Sequence, residues 1–462
     1  MALTAPRAPR ASRAVRVPVA AGRIPLAGHA GRLNRDALGF VTGLRRHGPM
    51  VKIFIGPRPV YVVNSPELIR EVLAVQARGF DKGAMFDTLR KPLGNGLTTS
   101  SGDFHRRQRR LVQPGFHHER IERYTGIMST RSALRAASWK PDTVVDMVPE
   151  INRLTMDILL RTLFATDPGP DLHSAVKEWL SVKYRSMRLA TSPLQAWAER
   201  LPVLPRWRPP DSGPLDRLRA AQQRIIDAYR ADGSDRGDLL SMLLLAHGPD
   251  GAMNDTELAD ELITLFLSGT GTISASLAYA VHEVGRHPDV QSLLHQELDT
   301  VLAGRPPGFH DLRSLPYTRQ IVTETLRLHP VAWLSMRRTV EPLTLNGVEL
   351  PPDTNVFFSP YALHRDADLY PDPDVFDPGR WPADATAKAP RGTYLPFGAG
   401  NRLCVGEEFA WAELTIALAS FAARWQLTPS DAEPVRTLVG TVIRPERVPL
   451  LLTRRERDHG PQ

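Results

Sequence analysis

Cysteine is almost missing from this 462-residue chain, in which Cys404 stands alone. A single cysteine excludes every disulfide framework, every CxxC zinc site and every cysteine-ligated iron–sulfur cluster. What remains is one thiol, able to act as a reactive group or as one ligand to a metal. Lysine is scarce as well, with 7 lysines against 51 arginines at a net charge of +8. The arginines are spread along the chain rather than gathered into one stripe, which argues against a nucleic-acid surface. There is no internal repeat, no low-complexity linker long enough to separate domains, and no GxGxxG strand-turn-helix for a flavin or nicotinamide cofactor. With 42% hydrophobic and 23% charged residues, the chain is neither disordered nor fibrous.

Proline is plentiful, 41 of 462 residues, well above the norm of about 5%, and predicts many ordered loops. The first 35 residues carry seven arginines and no acid before Asp36. Ala, Pro and Arg dominate there, so residues 1–23 read as a flexible tail rather than a transit peptide, and no secretory apolar segment follows. Leu262 to Val281 runs 20 residues without a charge, of which eight are Gly, Ser or Thr. That length meets the test for a membrane span, but the small polar residues and the preceding Glu257, Asp260 and Glu261 favour a helix buried in a soluble domain. A cytoplasmic protein is expected.

Met50 to Ile55 and Val60 to Val63 read as a hairpin across Gly56 to Pro59, and Ser65-Pro66 as a helix start. Helical patterns dominate from Gly102 to Trp425, broken by prolines at 202–214, 306–307 and 371–382. Strand patterns return at Leu343 to Leu350, Asn355 to Ser359 and Arg436 to Leu452. The longest helix is expected from the capping run Asn254 to Glu257 to about His287, before Pro288. Gly269 and Gly271 lie inside it at a cost of about 1 kcal/mol each, which suggests close approach of something large. A length prior of about 150 residues per domain allows up to about three domains, but the pattern reads as one large α-rich domain with small sheets at its margins.

The lone Cys404 lies in Phe397-Gly398-Ala399-Gly400-Asn401-Arg402-Leu403-Cys404-Val405-Gly406, ahead of a helical run from Glu407. Three glycines let the backbone lie against a flat object, and a helix N-terminus lowers a thiol pKa. Spacing alone leaves two readings open, an iron ligand or a buried structural cysteine.

This loop resembles the heme-binding loop of the cytochrome P450 monooxygenases. Glu324-Thr325-Leu326-Arg327 resembles the ExxR helix of that family, and Phe376 to Trp381 the segment whose arginine, here Arg380, completes a Glu-Arg-Arg network. His105-Arg106-Arg107-Gln108-Arg109 resembles the helix that meets the heme propionates. The resemblance spans about residues 24–455. It implies a mainly α P450 fold with small β-sheets, a domain over 24–462, heme b as cofactor and Cys404 as its iron ligand. His105, Arg109, Arg337 and Arg402 would hold the propionates, and Phe397, Gly398, Gly400 and Gly406 would shape the loop.

Within the long helix the family carries small-Gly-x-acid-Thr-Thr, whereas this chain has Ser268-Gly269-Thr270-Gly271-Thr272-Ile273. The acid is replaced by Gly271. By resemblance Gly269, Gly271 and Thr272 form the oxygen-handling site, with Thr272 donating a hydrogen bond and a water chain past Thr270 or Ser268 standing in for the acid. Phe80 to Gly83, Leu93 to Leu97 and His105 to Phe116 resemble bacterial oxygenases of sesquiterpenes such as pentalenene. The implied apolar pocket draws on Met85, Phe86, Phe266, Thr270, Val331, Ala332, Trp333, Leu334, Val439, Gly440 and Thr441.

The resulting expectation is insertion of one oxygen atom from O2 into an apolar natural product, a terpenoid of secondary metabolism, with electrons from a ferredoxin and its reductase. An acidic redox partner is expected near Arg106, Arg107, Arg110 and Arg402. The alternatives are a heme-thiolate catalyst of rearrangement, coupling or peroxide-driven oxidation, and a non-catalytic heme-binding protein.

Overall fold

The computed structural model describes residues 16–164, 174–175, 178, 213–245, 251–382, 392–431 and 435–455. The larger helices are α1 (Ala84–Leu93), α2 (Gly102–Val112), α3 (His118–Ala137), α4 (Met147–Leu163), α5 (Gly213–Asp232), α6 (Asp255–Arg286), α7 (Pro288–Leu302), α8 (Pro316–Leu328) and α9 (Glu407–Ala422). α9 forms the centre, with every residue from Phe409 to Ala422 buried. It can be apolar on all sides because α3, α6, α7 and α8 pack around it.

The ends of α6 follow its sequence signals. Asn254 Oδ1 accepts from Glu257 N at 2.9 Å while Glu257 Oε2 accepts from Asn254 N at 3.1 Å, a reciprocal cap that satisfies two orphan donors. Pro288 opens α7 directly after His287. α6 is long and apolar enough to cross a membrane, yet 72% of its apolar window is buried in the protein. Gly269 serves helix packing: a Cβ there would lie 3.0 Å from both Leu159 methyls of α4. The large neighbour expected at this glycine is therefore another helix.

A five-stranded sheet has the order β1-β2-β8-β5-β3, built from β1 (Met50–Ile55), β2 (Arg58–Val63), β3 (Phe80–Asp81), β5 (Ser335–Thr339) and β8 (Asn355–Phe358). The β1–β2 turn is tighter than expected, because Arg58 and Pro59 already pair with Ile55 and Phe54, and Gly56 takes φ +60°. β4 (Thr143–Asp146), β9 (Trp425–Pro429) and β12 (Pro449–Arg454) form a second sheet. The run Leu343 to Leu350 is a hairpin of β6 (Leu343–Leu345) and β7 (Val348–Leu350). Asn346 and Gly347 turn it at φ +52° and +71°, the backbone that an Asn-Gly pair favours. Another hairpin joins β10 (Thr437–Val439) and β11 (Ile443–Pro445).

The expected tail is shorter than 1–23. Ala20 N donates to Lys52 O and Lys52 N donates to Pro18 O, Ala20 is buried, and His29 Nε2 lies 3.0 Å from Ala20 O. Unpaired edge groups on β1 thus recruit residues 18–20. Residues 1–15 and the proline-rich run up to residue 212 lie outside the described residues.

Candidate active site

The loop from Phe397 to Gly406 is built on backbone geometry. Cys404 N donates to Phe397 O at 3.0 Å and Leu403 N to Gly400 O at 3.1 Å. Gly398 and Gly400 adopt φ +73° and +67°. At Gly400 a Cβ would sit 1.9 Å from Leu73 O, in the π-helical turn Glu71–Val75. Gly406 differs, with φ −92° as it caps α9 and only ordinary contact with Phe116.

Cys404 keeps solvent-accessible surface, although burial among protein atoms raises its thiol pKa, with the Gly406 N–H hydrogen bond pulling the other way. Ligation to a metal would deprotonate such a thiol outright.

Beside the loop the fold collects basic side chains. Arg109 Nη1 donates to Leu403 O at 2.6 Å, and Arg402 Nη1 to Ser100 O at 2.9 Å. Burial brings the Arg337 guanidinium down to about 10, and burial together with Arg337 and Arg109 brings Arg402 to about 10. His105 is buried, and desolvation with Arg402, Lys82 and Arg109 pushes it down to about 3. Its Nδ1 lies 3.2 Å from Ser100 Oγ, whereas Nε2 is buried without a well-formed hydrogen bond.

Lys82, which the motif reading did not single out, joins this group. Its ammonium is held well below the usual lysine range by burial, Arg337 and Arg402. Asp81, the neighbouring acid, is taken by Arg338 at 2.5 and 3.1 Å. Five basic groups gathered beside one thiol, with Lys82, His105 and Arg402 lowered partly by their cationic neighbours, fit an anionic ligand with two carboxylates. The propionates of heme match that chemistry, and Cys404 matches its iron.

Glu324 and Arg327 are both fully buried. Arg327 Nε and Nη2 each donate to the Glu324 carboxylate at 2.8 Å. Arg380 Nε, Trp381 Nε1 and Asp377 N add bonds of 3.3, 2.7 and 3.1 Å. Arg327 Nη1 also donates to His364 O at 2.8 Å. His364 lies 3.1 Å from Arg327 O through Nδ1 and accepts from Leu395 N at 2.9 Å through Nε2, so the network reaches the chain just ahead of the cysteine loop.

The middle of α6 keeps accessible surface, with Leu267 and Gly269 partly exposed, Ser268 exposed, and Gly271 and Thr272 partly exposed. Thr272 Oγ1 donates to Ser268 O at 2.5 Å and Thr270 Oγ1 to Phe266 O at 2.8 Å. No carboxylate occupies position 271.

Several expected pocket residues are packed against neighbouring elements. Phe266 is fully buried against Phe164, 6.4 Å between centroids. Trp333 is buried and donates through Nε1 to Gly440 O at 2.8 Å. Val331 and Thr270 are also buried. Met85, Phe86, Ala332, Leu334, Val439, Gly440 and Thr441 retain accessible surface. The expected docking arginines are partly engaged as well: Arg107 clamps both oxygens of Glu257 at 3.0 Å, Arg106 pairs with Asp103, and Arg402 turns inward to Ser100.

A mainly helical domain that offers one thiol and a basic cradle to a flat dianionic group defines the class of heme-thiolate enzymes. The cytochrome P450 family matches residues 18–452, and this chain belongs to that family and is a monooxygenase. Heme iron is the family's cofactor. The chain is 42% identical to cyclooctatin synthase of Streptomyces melanosporofaciens, over 92% of this chain and 93% of that one. It is 39% identical to pentalenene oxygenase of Streptomyces avermitilis, over 94% and 97%. The fold superposes on the heme domain of cytochrome P450DA with a TM-score of 0.84 at 23% identity, covering 96% of this chain and 99% of that one.

Proposed function

We propose that this protein is a cytoplasmic heme b monooxygenase of bacterial secondary metabolism that inserts one atom of dioxygen into a terpenoid, with electrons from a ferredoxin and its reductase. The observation that carries the reading is the meeting of Cys404 with a cradle of Lys82, His105, Arg109, Arg337 and Arg402. Relatives named for cyclooctatin and pentalenene support the substrate class. Heme iron under a thiolate supplies activation of dioxygen, the thiolate pushing electron density that favours O–O cleavage. Phe397, Gly398, Gly400 and Gly406 hold Cys404 in place, and the five basic groups hold the propionates. Thr272 keeps a hydroxyl proton on Ser268 O and releases it only by rotating away from that carbonyl. The Glu324, Arg327 and Arg380 network braces the loop from behind.

The missing acid at Gly271 favours a second reading, a heme-thiolate catalyst of rearrangement, coupling or peroxide-driven oxidation. Turnover of sesquiterpene and diterpene substrates by holoenzyme with ferredoxin, reductase and isotope-labelled dioxygen separates the two. One labelled oxygen atom in the product is expected. Unlabelled product, or product formed only with added peroxide, would transfer the assignment to the second reading.

A further inference from the structure

Four hydroxyl side chains punctuate the middle of α6, and three of them turn back on the helix. Thr270 donates to Phe266 O, Thr272 to Ser268 O and Ser274 to Gly271 O, which is how hydroxyls inside a helix ordinarily satisfy themselves. Ser268 is different. Its Oγ lies 3.3 Å from Thr98 Oγ1, on the segment joining α1 to α2, and Ser268 is exposed while its helical neighbours on either side are half-buried.

The segment that carries Thr98 is firmly seated. Asn95 N donates to Asp260 Oδ2 at 2.8 Å and Leu97 N to Glu261 Oε2 at 2.9 Å. Gly96 lies so close that a Cβ would meet Thr264 Oγ1 at 2.2 Å. Two residues beyond Thr98, Ser100 contacts both His105 and Arg402 of the basic cradle. The Thr98–Ser268 pair therefore links the segment that reaches the cradle to the exposed stretch of α6 that carries the expected oxygen-handling residues.

Two hydroxyls hold two donors and four acceptor sites. One mutual bond uses one donor and one acceptor, so one O–H and three lone-pair sites stay open. Apolar ligands leave such groups unpaired on burial, which costs affinity, whereas a ligand oxygen satisfies them.

We infer that Thr98 and Ser268 form a hydroxyl anchor for one oxygen atom of the substrate, so that the enzyme acts on a terpenoid already bearing an alcohol or carbonyl rather than on a hydrocarbon. This rests on the terpenoid reading above and deepens it. It also places the reaction after a step that has already introduced oxygen into the carbon skeleton.

The test is calorimetric titration of the holoenzyme with matched probes, farnesol with farnesene and cedrol with cedrene, in wild type, Ser268→Ala and Thr98→Val. Each substitution is expected to weaken the alcohols about tenfold, the worth of one well-placed hydrogen bond at its upper range, and to leave the hydrocarbons unchanged or tighter. Equal changes for alcohol and hydrocarbon, or alcohols unaffected by both substitutions, would overturn the anchor and leave the terpenoid reading standing. Failure of every probe of both kinds to bind wild type would overturn the two together.

Discussion

Glu261 carries a conflict within a single side chain. It is fully buried, Oε2 accepts from Leu97 N, and Oε1 has no hydrogen bond. Burial first, and the neighbouring Asp260 after it, push its carboxyl up to about 8, with the Leu97 N–H opposing. Asp260 is itself held by Arg219 at 3.2 Å and by Asn95 N. Below the ordinary value of 4.5 the group is protonated in folded and unfolded chains alike and does not bear on stability. As pH rises from there to about 8, the unfolded chain ionises while the folded one holds its proton, and stability falls; beyond that window the loss is complete. Glu261→Gln removes the titration and keeps an acceptor for Leu97. Its Tm is expected to exceed that of wild type by about 2–5 °C at pH 8, with the gap closing toward pH 5. Thermal unfolding across that range checks this, and a gap independent of pH would contradict it.

At the scale of elements, the glycines of the cysteine loop are not equivalent. Gly400 combines φ +67° with a backbone carbonyl 1.9 Å from any added Cβ, and the loop cannot yield there without straining the Leu403 N to Gly400 O bond. Gly406 has an ordinary φ and open contact. Gly400→Ala is therefore expected to cost about 2 kcal/mol or more and to yield protein poor in heme, while Gly406→Ala keeps near-normal loading; heme content per chain after purification decides. A Gly400→Ala protein that loads heme like wild type would show that the turn is not strained.

Elements were legible where the signal is local. The Asn254 to Glu257 cap, the Pro288 boundary and the β1–β2 hairpin all depend on residues a few positions apart. The demand on Gly400 depends on Leu73, more than 300 residues earlier in the chain, and no local pattern carries that. The Leu343 to Leu350 hairpin is the reverse case, since Asn346-Gly347 is a local turn signal that a reading by strand propensity passed over.

For the whole molecule, the motif residues converge: His105, Arg109, Arg337 and Arg402 meet beside Cys404, and Glu324, Arg327 and Arg380 join behind it. Lys82 stands in the sequence only within the run Phe80 to Gly83, where nothing local marks it as part of a cradle. Only the fold shows Asp81 spent on Arg338 while Lys82 turns toward the cradle. Phe266 and Trp333, expected in the pocket by their position in the family, are buried against neighbouring elements.

Charge also acts at this scale. A basic patch on the cysteine side suggests steering of an acidic redox partner, whose effect fades as salt shortens the Debye length from about 30 Å at 0.01 M to about 10 Å at 0.1 M. Arg107 has a partner within the fold. It binds both oxygens of Glu257 and, at 2.8 Å, Ala252 O, tying α2 to the first turn of α6. Arg107→Ala is expected to lose about 1–3 kcal/mol of stability, the scale of charge-assisted hydrogen bonds in a half-buried pair. The salt dependence of ferredoxin-driven reduction is expected to match that of wild type. Urea unfolding and stopped-flow reduction across ionic strength separate the two roles: unchanged stability with a flattened salt response would return Arg107 to the docking surface.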